Sequence, residues 1–99
     1  MNTYVSLLTF TQQGLQNIHE APKRITAFKA AAKKAGVKVT QLFKTLGEYD
    51  GVIVFEAKTD AASTGLMLSL ASHGYVQTKT MRAFNPAEFA EIVASMPKK

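Results

Sequence analysis

The sequence predicts an α+β fold: a four-stranded antiparallel sheet in β-α-β-β-α-β order, the split ferredoxin-like pattern, with both long helices on one face and a short helix at the C-terminus. Three observations predict it. Four runs rich in β-branched and aromatic residues are separated, in that order, by two stretches of helical character and one short turn. The turn, Gly47-Glu48-Tyr49-Asp50-Gly51, joins the second run to the third and makes them a hairpin. The first and third runs are apolar on both alternating faces, as central strands are. Right-handed crossovers around a central hairpin place those same two strands in the middle of the sheet.

The first strand is read over residues 3–10, with Tyr4, Ser6, Leu8 and Phe10 on one side and Val5 and Leu7 on the other. Residues 11–21 form a polar connection, part of it read as a short helical turn with Leu15 and Ile18 facing inward. Pro22 suits the first turn of a long helix, where its missing N–H is no loss. Ile25, Phe28, Ala32 and Ala35 recur at helical spacing among lysines, and Gly36 stops the helix. The second strand follows over 37–46 and the third over 52–58. Asp60 is read as the cap of a second helix over 61–73, which Gly74 ends. Residues 75–84 are the fourth strand. Asn85-Pro86-Ala87-Glu88 then opens a final helix as a capping box, with Phe89, Ile92 and Val93 as its anchors. The Met-Pro-Lys-Lys tail is read as loose.

Both long helices lie on one face, so the other face of the two central strands needs a separate cover. A second copy of the chain, packed sheet to sheet, is the simplest one. Burying about 800 Å² per chain would be ordinary for a stable dimer.

Composition narrows the function classes. The chain is read as one domain, residues 1–99. A hydrophobic share of 46% excludes a disordered chain. No apolar run reaches the roughly 18 residues of a membrane span. The first residues lack the pattern of a signal peptide, and the expected location is cytoplasmic. With no cysteine there is no disulfide, zinc-thiolate site or thiol nucleophile. The formal charge of +5 comes from scattered lysines, with no arginine cluster or interleaved aromatics. That pattern is a solvated basic surface, and it makes a nucleic-acid partner the weakest reading.

Leu46-Gly47-Glu48-Tyr49-Asp50 followed by an apolar strand resembles the GYD domain family. The likeness extends along the chain through Phe10-Thr-Gln-Gln-Gly14, Ala21-Pro22-Lys23-Arg24, Gly36-Val-Lys-Val39 and Thr78-Lys-Thr-Met-Arg-Ala-Phe84. Ser72-His73-Gly74-Tyr75 departs from the family's usual pattern. The resemblance implies a ferredoxin-like domain of the dimeric α/β-barrel group, paired sheet to sheet. It implies little about chemistry.

Candidate site residues are few, and each has a plainer structural role beside the functional one. Gly47 and Gly51 are read as turn residues supplying positive φ or tight packing. Tyr49 and Asp50 offer a phenol and a carboxylate near the mouth of any cavity by the sheet, for ligand anchoring or acid–base work. The structural alternative has Asp50 bonding its own turn and Tyr49 packing at an interface. His19 and His73 are further ligand-binding candidates. They lie too far apart in sequence to suggest a metal site, and no metal or cofactor is expected. Phe43, Phe55, Met67, Met81 and Phe84 are read as core or interface.

Two functions are carried forward. The first is a homo-oligomeric small-molecule-binding or regulatory domain with an apolar cavity between sheet and helices. The second is a cofactor-free enzyme, a monooxygenase, decarboxylase or isomerase by fold analogy, using Asp50, Tyr49 or a histidine.

Overall fold

The computed structural model describes residues 1–98. The element order is β1 (Asn2–Phe10), α1 (Gln12–Gln16), a 3₁₀ turn (Ile18–Glu20), α2 (Ala21–Lys34), β2 (Lys38–Lys44), β3 (Gly51–Ala57), α3 (Asp60–Ser72), β4 (Val76–Ala83) and α4 (Pro86–Ala94). The strands form one antiparallel sheet in the order β2-β3-β1-β4, so the two doubly apolar strands are central, as the sequence requires. Of the tail, Lys99 lies outside the described residues.

Register decides which side chains share a face. Tyr4 pairs with Phe55 and Ser6 with Ile53, so these four point the same way. They bury with Phe28 and Ala32 of α2 and Leu66 and Met67 of α3. Tyr4 and Phe55 stack, their ring centres 5.4 Å apart. Ser6 is fully buried without penalty, because its hydroxyl accepts from Thr80 Oγ1 at 3.0 Å. A bulge between Val39 and Gln41 moves β2 over by one residue, bringing Val39 and Leu42 onto the core side. The opposite face carries Val5, Leu7, Val52 and Val54, each half-buried, and among the described residues α2 and α3 pack on the other side.

Several local expectations need correction. Thr59, not Asp60, caps α3: its hydroxyl accepts from Ala62 N–H at 3.1 Å. Asp60 is the first helical residue, and its carboxylate instead accepts the Tyr4 hydroxyl at 2.5 Å. Leu15 and Ile18 face solvent rather than the core. The buried residue of that connection is Gly14, where a Cβ would stand 2.1 Å from Tyr75 O. Only glycine lets α1 press against residue 75 so closely. The final helix has its capping box, with Asn85 and Glu88 bonding each other's backbone N–H groups. Its supposed anchors do not anchor it: Phe89 is 60% exposed, and Ile92 and Val93 are exposed with it. The molecule is elongated, 54 × 31 × 19 Å, with a radius of gyration of 15.4 Å. A compact chain of this length has about 13 Å.

Candidate functional site

Between the helix-facing side of the sheet and the pair α2 and α3 lies a cavity of about 350 Å³. Leu8, Phe28, Leu42, Ile53, Leu66 and Leu70 line its depth. Four ionisable side chains, Arg24, Lys44, Asp50 and His73, and the phenol of Tyr75 join the lining.

Asp50 is held there by the sheet. Its N–H donates to Leu8 O at 2.8 Å, and its carboxylate Oδ2 accepts from Phe10 N–H at 2.7 Å. The side chain thus takes the place of a backbone carbonyl at the end of the β1–β3 ladder. This role differs from bonding within its own turn. Thr45 closes the turn instead, with its N–H on Asp50 O at 3.0 Å and its hydroxyl on Tyr49 O at 2.6 Å. Lys44 Nζ sits 3.9 Å from Asp50 Oδ1 and donates to Thr45 O at 2.6 Å. Gly47, at φ 106°, gives the loop a left-handed residue. Gly51 does not need positive φ. It is a paired strand residue where a Cβ would come within 3.2 Å of Phe43 O.

Arg24 spans the far end. Its guanidinium carbon lies 4.2 Å from the centre of the Tyr75 ring, a cation–π stack. Nη1 donates to Asn17 O at 2.9 Å, whereas Nη2 is shielded from solvent and has no hydrogen-bond partner. Thr11 fixes this corner from below: its N–H donates to Tyr75 O at 3.1 Å and its hydroxyl to Gly74 O at 2.6 Å.

The family model of the GYD domain matches residues 4–93. The chain belongs to the GYD domain family. A Thermus thermophilus relative, the glutamine synthetase and cystathionine beta-lyase binding protein, is 36% identical over 89 residues, 89% of this chain and 94% of that one. Among solved structures, the feast or famine regulatory protein of M. tuberculosis, complexed with L-methionine, superposes with a TM-score of 0.65 at 15% identity. The match covers 86% of this chain but only 51% of that protein, so the GYD chain spans about half its length. The 5-chloro-2-hydroxyhydroquinone dehydrochlorinase of Burkholderia phenoliruptrix superposes at 0.62 and 13% identity, covering 88% of this chain and 97% of its own. At such identities these structures share the ferredoxin-like fold with the GYD chain and nothing finer.

The structure of this GYD domain divides the sequence candidates. Asp50 and His73 both line the cavity. Tyr49 does not: its ring lies 5.7 Å from Lys79 Nζ, and Lys79 is paired with Leu7 on the opposite face of the sheet. His19 is exposed on the 3₁₀ turn, away from the cavity lining. Among the described residues, no three of His, Asp and Glu gather as a metal-binding set, and no helix is long and apolar enough to cross a membrane. Sequence reasoning missed Arg24, Lys44 and Tyr75. Arg24 carried a signal: it stands four residues before Phe28 and eight before Ala32, on the buried stripe of α2.

Proposed function

We propose that this GYD domain is a binding and regulatory module of the cytoplasm that works as a homo-oligomer, with the sheet–helix cavity as its ligand site. The observation that carries this reading is the cavity itself. It is apolar over most of its wall, has a few polar groups, and falls in the size range of ligand pockets, about 300–1,000 Å³. A relative named for the two enzymes it binds supports a regulatory role. The open sheet face, with Val5, Leu7, Val52 and Val54, and the exposed apolar side of α4 support a second copy as partner.

A thermal-shift screen of a metabolite set tests the ligand site. At least one class of compound should raise Tm in a concentration-dependent way. The same compound should shift the methyl resonances of Leu42, Ile53 and Leu70. If no compound moves both, the cavity is not a ligand site. The second reading, a cofactor-free enzyme, is favoured by one observation: Asp50 and His73 line the same cavity. Turnover of a bound compound, lost in Asp50→Asn or His73→Gln, would bring that reading to the front.

A further inference from the structure

The cavity has a charge imbalance that the folded chain leaves unanswered. A guanidinium carries five N–H donors and no acceptor. Arg24 uses Nη1 on Asn17 O and lays its plane on Tyr75, but Nη2 is sealed from water without an acceptor. Donors of a charged group left unpaired away from water are more costly than neutral ones. Among the described residues no carboxylate comes within ion-pair distance of Arg24. The one acid lining the cavity, Asp50, is committed elsewhere, with Oδ2 on Phe10 N–H and Oδ1 facing Lys44. A stem packed on an apolar stripe could have been leucine. An arginine there fits a role for its planar fork, which matches a carboxylate with two parallel bonds.

We propose, building on the reading of the cavity as a ligand site, that its ligand is an apolar monocarboxylate. The carboxylate binds the Arg24 guanidinium after a small rotation of that side chain. The alkyl or aryl body lies along Leu8, Phe28, Leu42, Ile53, Leu66 and Leu70. One negative charge is enough, because among the described residues Arg24 Nη2 is the buried side-chain donor without a partner, while Lys44 reaches solvent beside Asp50. A free amino acid fits less well. Its ammonium would need an acceptor in the cavity, and Asp50 is already engaged.

Titration calorimetry on the full chain with octanoate, 1-octanol and 2-aminooctanoate tests this, with methyl spectra to locate binding. The wild type should bind octanoate about tenfold or more tighter than either of the other two, as expected for a hydrogen-bonded charge pair. Arg24→Gln should weaken octanoate binding about tenfold or more and remove its advantage over octanol. Equal wild-type affinity for octanoate and octanol overturns the proposal and leaves the apolar cavity standing, as does 2-aminooctanoate binding as tightly as octanoate. If none of the three shifts the methyls of Leu42, Ile53 and Leu70, this proposal falls, and the cavity reading then rests on the broader metabolite screen alone. Should Arg24→Gln fail to fold, the wild-type comparison decides the matter by itself.

Discussion

At the scale of single residues, the Tyr4–Asp60 bond shows how a polar pair serves a mostly apolar core. The Tyr4 ring stacks on Phe55, and its hydroxyl reaches the Asp60 carboxylate at the start of α3. That hydrogen bond, helped by burial, holds the phenol above the usual tyrosine range. The folded state therefore keeps this proton more tightly than the unfolded chain does. Its contribution to stability is complete below the ordinary tyrosine pKa of about 10, and it is lost as pH rises through the raised folded value. Urea unfolding followed from pH 7 to pH 11 (about the accessible alkaline range) should show this fall in the wild type. Tyr4→Phe should be less stable at neutral pH, because it loses the hydrogen bond to Asp60. Its alkaline fall should also be shallower. An identical alkaline limb in both proteins would show that Asp60 does not hold the Tyr4 proton.

At the scale of elements, sequence signals succeeded where they are local and failed where they depend on what else is nearby. Strand order followed from two features, double-faced apolarity in β1 and β3 and a Gly-bearing turn, which local chemistry dictates. The capping box of α4 was legible for the same reason. The cap of α3 was harder, because Thr59 and Asp60 are both good caps. The choice fell to Tyr4, a residue far along the chain, which engages the Asp60 carboxylate and leaves Thr59 to the helix. Thr59→Ala should then cost about 1 kcal/mol of stability by chemical denaturation. A change of a few tenths or less would return the cap to Asp60. Asp50 was legible as a polar residue by the cavity, but its bond to Phe10 N–H crosses between strands and has no local signature. Arg24 was hidden among lysines whose side chains face water, distinguishable only by its phase with Phe28 and Ala32. The anchors of α4 were misplaced because periodicity shows that a helix has an apolar side without showing what that side meets.

At the scale of the whole molecule, the two faces of the sheet have opposite fates. One is roofed by α2 and α3 and holds the cavity. The other carries Val5, Leu7, Val52 and Val54, half-buried, bordered by Phe43 and Met81, which are 56% and 49% exposed. Phe89, Ile92, Val93 and Met96 of the α4 region are exposed as well. An apolar surface of this extent is unusual on a protein that works alone. Val54, paired with Val5, is the most direct probe. In an isolated chain Val54→Lys puts an ammonium on a wet surface and should change little. Between two sheets it buries an unpaired charge and should prevent association. Light scattering at micromolar concentration should give the wild type a mass of at least twice the 10.8 kDa chain, and Val54→Lys a mass near one chain. Because Val54 faces away from the cavity, the variant should keep its affinity for any cavity ligand. That separates assembly from binding in one protein. A wild type that scatters as a single chain would mean the open face stays wet, and the exposed side of α4 would then have to be explained by a partner other than a second copy.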